Sequence, residues 1–244
     1  PVSIPLVGDA RHVMEEILPL LKPMGIEPWV ERIRGWRKAN PLRDLSSNTR
    51  LSPTRVVRAI SEAFPDAIVS TEVGQNQMWA AQYYQFDRPN HFITSGGLGA
   101  MGFGLPAAIG AQVAFPDKTV VDIAGDSSIQ MNIQEMATAV QSGLPVKVVI
   151  LNNGYMGMVR QWQELFYGKR YVSTCMDCAP DFVKLAEAYG AVGLRATKPD
   201  EVESVLSQGL KTPQPVIMDF VVEKEEGVYP MVPAGAAITD MLLV

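Results

Sequence analysis

Two apolar runs in this chain end in clusters of oxygen donors. Val121-Asp122-Ile123-Ala124 leads into Gly125-Asp126-Ser127-Ser128, and Val148-Val149-Ile150-Leu151 leads into Asn152-Asn153-Gly154-Tyr155. A carboxylate, an amide oxygen and a freed backbone carbonyl are hard ligands that suit Mg²⁺, which seeks six oxygens and takes some of them from a bound phosphate. A helix opening near Ser128 would point backbone N–H groups and the positive end of its dipole at the same spot. The chemistry anticipated is the holding of a Mg²⁺-diphosphate. Taken singly, Gly-Asp and Asn-Asn are common turn dipeptides. A single crossover helix between the two strands would make them near neighbours and turn Asp126 and Asn153 toward one cleft.

A third cluster, Ser95-Gly96-Gly97-Leu98-Gly99-Ala100-Met101-Gly102-Phe103-Gly104, holds five glycines in nine residues. Such a stretch lets backbone approach a ligand closely before a helix begins. Gly97–Gly102 fits the GxGxxG pattern of a nicotinamide dinucleotide site, but it lies in mid-chain and opens no first βαβ unit. The acidic residue about 20 positions on, Asp122, belongs to the next strand. On the residues alone, a loop of glycines with Met101 as core filler is the plainer reading. Cys175-Met176-Asp177-Cys178 is one CxxC with only His12 and His91 elsewhere, too little for a zinc cage and without the context of a thioredoxin-like site. Both thiols read as incidental members of a loop over the site.

Positioning these groups requires alternating strands and helices, and the apolar pattern supplies them. Strands are expected at 67–70, 91–94, 119–123, 146–151, 192–196 and 216–222, several as near-continuous Val/Ile runs of the kind covered on both faces. Helices are expected at 53–64, 75–84, 103–115, 129–142, 156–166, 180–189 and 199–210, the first capped by Ser52 with Pro53 at its opening position. The fold class is α/β, a doubly wound parallel sheet, and all three clusters fall after strands, where such sheets bind ligands. Ahead of it, 2–7 reads as a buried strand, and Val13, Ile17, Leu18 and Leu21 as a helix face ended near Pro23 and Gly25. Residues 27–48 read as a basic connecting segment with room for a short helix.

Composition removes other classes. With 47% apolar and 19% charged residues in 244, the chain is globular rather than disordered or collagen-like. A net charge of −5 leaves no global basic field for nucleic acid or an anionic membrane. No apolar run approaches the ~18 residues of a membrane span. Two cysteines exclude a disulfide framework and point to a reducing setting. Without an opening Met, and starting in an apparent strand, the chain is expected to be a fragment of a longer polypeptide.

Gly125-Asp126, followed 27 positions later by the second Asn of Asn152-Asn153, resembles the metal-binding motif of thiamine diphosphate enzymes. The resemblance implies cation ligation by Asp126, Asn153 and the backbone carbonyl of Tyr155. Ser127 stands where the family usually has Gly, and it and Ser128 would donate to the diphosphate. Gly99-Ala100-Met101-Gly102 is similar to the Gly-x-Met-Gly of the acetolactate synthase group, which places Met101 under the cofactor and Gly99 near the aminopyrimidine. Val73-Gly74-Gln75-Asn76 looks like that group's diphosphate-contacting Val-Gly-Gln-His, with an Asn amide in place of the imidazole. Gly157, Met158 and Val159 resemble the segment approaching the thiazolium, and Trp162 the wall of the substrate pocket.

The chain is thus identified as a member of the acetohydroxyacid (acetolactate) synthase family, the C-terminal part of its catalytic subunit. The resemblance implies thiamine diphosphate and Mg²⁺, with FAD in the whole enzyme touching this part only at an edge near Ser95 and Gly96. It implies decarboxylation of pyruvate and condensation with pyruvate or 2-ketobutyrate, at the start of branched-chain amino acid synthesis. It further implies a homodimer or tetramer, a possible small regulatory subunit, and a cytoplasmic or organellar location. Residues 1–26 would end a central domain, 27–48 link it, 49–226 anchor the diphosphate, and 227–244 form a tail. The activating Glu would lie in an N-terminal domain, and Glu72 is not its equivalent. The alternatives are a related thiamine enzyme of glyoxylate carboligase or pyruvate oxidase type, a nicotinamide oxidoreductase resting on Gly97–Gly102, and a non-catalytic assembly domain.

Overall fold

A computed structural model describes residues 2–42 and 49–243. The chain divides into two compact units, Pro1–Arg43 and Asp44–Val244. In the first, α1 (Ala10–Ile17) starts at Asp9, whose carboxylate accepts the His12 N–H at 3.1 Å. Then α2 (Glu27–Ala39) fills most of the expected connecting segment. Trp29, Ile33 and Trp36 recur at helical spacing along α2, with the Arg32 guanidinium over both indoles. Residues 2–7 form no strand: Val2, Ile4, Leu6 and Val7 are exposed, and a strand needs a partner for its N–H and C=O groups. Positions 43–48 of the expected linker lie outside the described residues.

The second unit is built on one sheet. Its strands are β1 (Ile68–Thr71), β2 (Phe92–Thr94), β3 (Val120–Gly125), β4 (Lys147–Asn152), β5 (Val192–Ala196) and β6 (Val216–Val221). They lie in the order β2-β1-β3-β4-β6-β5, and every pairing is parallel. The helices are α3 (Pro53–Ala63), α4 (Gln75–Tyr83), α5 (Gly104–Ala114), α6 (Met136–Gln141), α7 (Gly157–Phe166), α8 (Phe182–Tyr189) and α9 (Val202–Lys211). The doubly wound parallel sheet expected from the alternating pattern is the fold observed.

Burial on both faces explains the continuous Val/Ile runs. Val121, Ile123 and Val149 point into a core with Val56, Ile60 and Trp79, while Val120, Ala124, Val148 and Ile150 point into a second core with Leu105, Ile129 and Phe182. The chain leaves β1 outward to β2 and returns on the other side to β3, so the order switches direction between β1 and β3, the place where open α/β sheets bind ligands.

Two expectations are corrected here. Residues 129–142 are not one helix but two 3₁₀ turns, Ile129–Met131 and Ile133–Glu135, followed by the six-residue α6. Asn132 breaks the run, its amide donating instead to the Gly102 carbonyl at 2.7 Å. Ser52 precedes α3 but does not cap it: its hydroxyl bonds Thr54 Oγ1 and Glu226 Oε1.

Candidate functional site

The carboxyl ends of β1, β3 and β4 enclose a narrow polar cleft. It is lined by Val73, Gly74, Gln75, Asn76 and Trp79 from the β1–α4 side, Gly125, Asp126 and Ser127 after β3, and Leu151, Asn153, Tyr155 and Gly157 around the end of β4. The donor pair read from the sequence therefore meets in one place, joined there by the Val73–Asn76 segment.

Asp126 is 1% exposed, and its Oδ2 has no hydrogen-bond partner. Desolvation pushes its carboxyl up to about 7; the nearby Asp219 charge pushes the same way, and backbone N–H groups, including those of Gly154 and Ser127, pull it down. A buried carboxylate oxygen with no donor is a place for a cation. Asn153 is buried opposite, its Oδ1 accepting the Tyr155 N–H at 3.2 Å with a second lone pair to spare. Gly154 takes a positive φ of 69°, turning the chain so that Gly154 and Met156 pair with Met176 and Thr174. Those bonds flank Tyr155 and use the Gly154 and Thr174 carbonyls, not that of Tyr155. Among the described residues no three His, Cys, Asp or Glu side chains gather to form a metal cage. A cation held by Asp126, Asn153 and a carbonyl must then take further oxygens from its ligand, as Mg²⁺ does from a diphosphate. The donor set fits Mg²⁺.

The anion-holding helix N-terminus is not the one expected. After Ser128 there is only a 3₁₀ turn, and the Ser128 hydroxyl is occupied with the backbone of Gly125; only Ser127 of the pair lines the cleft. The N–H groups that open there belong to the nine-residue α4, which starts at Gln75 in the cleft wall. Asn76 lines the cleft, but its Nδ2 donates to the carbonyls of Glu72 and Ile123 at 3.0 and 2.8 Å. Both amide hydrogens are thus committed, so its backbone N–H, not its side chain, is the group left to meet a phosphate. Trp79, one turn on from Gln75, is a lining residue that sequence reasoning missed; the i, i+4 spacing was the available signal.

The glycine loop lies beside this wall. Gly99 adopts φ 72°, and a Cβ there would stand 3.8 Å from the Val73 side chain; Met101 is half-buried, and Ser95 closes the loop by accepting the Gly99 and Ala100 N–H groups. Gly96 is exposed. The buried Glu72 carboxylate accepts the N–H groups of Gly102 at 2.7 Å and Leu105 at 3.1 Å. The start of α5, where a dinucleotide's pyrophosphate would sit, is already capped by an anion, and that removes the physical basis of the GxGxxG reading.

Met158, Val159 and Trp162 do not line the polar cleft. They share a separate apolar hollow of about 680 Å³ with Gln163, Tyr167, Arg170 and Val172. Gly157 belongs to the first cavity and Met158 to the second, so the first turn of α7 stands between them. Cys175 and Cys178 are exposed and unpaired, in the segment that pairs with Gly154 and Met156.

Residues 72–220 match the model of the thiamine pyrophosphate enzyme C-terminal TPP binding domain. The chain is similar to the acetolactate synthase large subunit of Haemophilus influenzae, 45% identical over 251 residues that cover 100% of this chain and 44% of that protein. It is 47% identical to the acetolactate synthase isozyme 3 large subunit of Escherichia coli, covering 99% of this chain and 44% of that protein. With the large subunit of Porphyra purpurea the identity is 44%, over 98% of this chain and 42% of that one. The chain spans less than half the length of these relatives.

Proposed function

The chain belongs to the thiamine pyrophosphate (thiamine diphosphate) enzymes through their C-terminal binding domain, and on that premise we infer that it is the cofactor-anchoring part of an acetolactate synthase catalytic subunit. The observation that carries this reading is the buried, unpartnered Asp126 Oδ2 facing a cleft that Asn153 shares. Asp126, the Asn153 amide oxygen and the Tyr155 carbonyl hold Mg²⁺. Backbone N–H groups at the start of α4, with Val73, Gly74 and Ser127, hold the diphosphate. Gly99 and Met101 sit against the aminopyrimidine, and Ser128 keeps the Asp126 turn in shape.

When bound, thiamine diphosphate supplies the electron sink for decarboxylating a 2-keto acid. The chain's own residues orient it and exclude water. Gly157 lets α7 begin close to Gln75 and Asn153, and Met158, Val159 and Trp162 present an apolar wall to the substrates. Pyruvate and a second pyruvate or 2-ketobutyrate are those substrates, giving 2-acetolactate or 2-aceto-2-hydroxybutyrate for branched-chain amino acid synthesis. FAD belongs mainly to the rest of the subunit and meets this chain at Ser95 and Gly96. Residues 1–26 end a preceding domain, 27–48 link it, 49–226 anchor the cofactor and 227–244 form the tail. The subunit works as a homodimer or tetramer, with a small regulatory subunit as a further partner, in the cytoplasm or an organelle.

Calorimetry tests the anchor directly. Mg²⁺-thiamine diphosphate is expected to bind and NAD to give no heat, and Asp126→Ala should weaken the diphosphate by about 2–4 kcal/mol, the loss of a charge-assisted ligand. An unchanged affinity in Asp126→Ala overturns the assignment.

A further inference from the structure

Asn153 is the first of three buried amides in a row. Its Nδ2 donates to Gln75 Oε1 at 2.9 Å, Gln75 Nε2 donates to Gln161 Oε1 at 3.0 Å, and Gln161 Nε2 donates to the Val228 carbonyl at 3.0 Å. All three side chains are between 3% and 6% exposed. An amide is nearly symmetric in shape, so its partners decide which end is oxygen. Backbone groups have no such freedom, because an N–H only donates and a carbonyl only accepts.

The row ends on backbone at two places. The Val228 N–H donates to Gln161 Oε1 at 2.8 Å while the Val228 carbonyl takes Gln161 Nε2. The Glu226 carbonyl takes Gln75 Nε2 at 3.3 Å. Val228 therefore turns the Gln161 oxygen toward Gln75, and Gln75 must meet it with its NH₂, an orientation the Glu226 carbonyl requires independently. Gln75 then offers only its oxygen to Asn153, which draws the Asn153 NH₂ to that side and leaves Oδ1 on the side of Tyr155 and the cleft. A reversed Asn153 would set two oxygens against each other and present an NH₂, which has no lone pair for a cation. Gly157 makes the row possible, since a Cβ there would overlap Gln75 Oε1 and stand 2.8 Å from Asn153 Nδ2.

We propose that Gln161 is a positioning residue: together with Gln75 and the backbone of residues 226–228 it forms a polarity relay that fixes the Asn153 oxygen for a divalent cation, so that seating of the C-terminal segment on α7 sets the cation affinity of the cleft. Gln161 itself touches neither cation nor substrate. The proposal rests on the reading of Asp126 and Asn153 as cation ligands.

The test is Mn²⁺ binding to the whole catalytic subunit in saturating thiamine diphosphate, read from the electron paramagnetic resonance of free Mn²⁺, with ligand-free thermal unfolding alongside. Gln161→Met keeps the length and apolar packing and loses the relay; Gln161→Glu keeps the oxygens that accept from Val228 and Gln75. The relay requires about tenfold or greater loss of Mn²⁺ affinity in Gln161→Met and a loss of no more than about threefold in Gln161→Glu. A role in packing alone reverses that order, because the buried carboxylate is then the worse replacement, and that result overturns the proposal. Should Gln161→Met fail to fold, Gln161→Glu decides alone: a tenfold loss in a folded Gln161→Glu overturns the relay. Equal Mn²⁺ affinity in wild type and Asp126→Ala would instead overturn the ligand reading itself.

Discussion

Asp122 places an ionisable acid where a charge is costly. It sits in the middle of β3, fully buried, with the Ser70 hydroxyl on Oδ1 at 3.1 Å and nothing on Oδ2. Burial, and then the neighbouring Glu72 charge, push its carboxyl well above the usual range; the Ser70 hydrogen bond offsets this only in part. Burial also raises Glu72, against the backbone N–H groups it accepts. An acid whose folded pKa exceeds its unfolded one binds its proton more tightly when folded. The associated stability is complete below the ordinary carboxylate range and is lost as pH rises through the folded value. Asp122→Asn keeps an acceptor for Ser70 and removes the ionisable group. It should raise stability at neutral pH by about 1 kcal/mol or more, roughly 2–4 °C in Tm, and the gain should shrink toward zero as pH falls to about 4. Thermal unfolding across that range checks both size and slope. Asp126 and Asn153 were legible in the sequence because a polar residue just after an apolar run is itself a signal. Gln161 was not, because it looks like an ordinary helix residue until distant segments are brought against it.

At the scale of elements, most strands and helices were readable from apolar spacing, and the misses share a cause. Ile129, Ile133, Met136 and Val140 keep a helical period, so the pattern reads as one helix; the break at Asn132 comes from a hydrogen bond to Gly102, 30 residues away. The strand expected at 2–7 failed for want of a pairing partner, which a pattern within one segment does not reveal. Strand order was equally hidden, since nothing local places β6 between β4 and β5. Local capping fails for Ser52 at α3 but holds at α8. Asp181 caps α8, accepting the Val183 and Lys184 N–H groups at 3.1 and 3.4 Å, and Gly190 ends that helix in the left-handed conformation. Asp181 also accepts from Arg195, whose Nε is held by Asp219 on β6. Asp181→Ala should remove the cap and lower Tm by roughly 2–4 °C. Arg195 keeps its Asp219 partner, so Mn²⁺ affinity in the distant cleft should be unchanged.

On the proposed reading, the molecule as a whole holds an anion without being basic. A chain at −5 needs no basic patch where the start of α4 would supply N–H groups and a divalent cation would bridge Asp126 to the phosphates. What it supplies beyond anchoring is narrower. The narrow polar cleft gathers the groups proposed to take a diphosphate and its cation. The family resemblance implies that the chemistry at the cofactor's other end needs a carboxylate free to exchange a proton with the aminopyrimidine. Glu72 is the carboxylate tied to the glycine loop, and both its oxygens are engaged by the Gly102 and Leu105 N–H groups; releasing either would uncap α5. It is a structural anion, not a proton carrier. The chain spans 42–44% of the synthase subunits it resembles, and the activating carboxylate is expected from the remainder. The purified 244-residue chain, given pyruvate, Mg²⁺ and thiamine diphosphate, should therefore form no acetolactate, while a subunit that includes the remainder does. Steady acetolactate production by the chain alone, retained in Glu72→Gln, would mean that another of its own groups moves the proton.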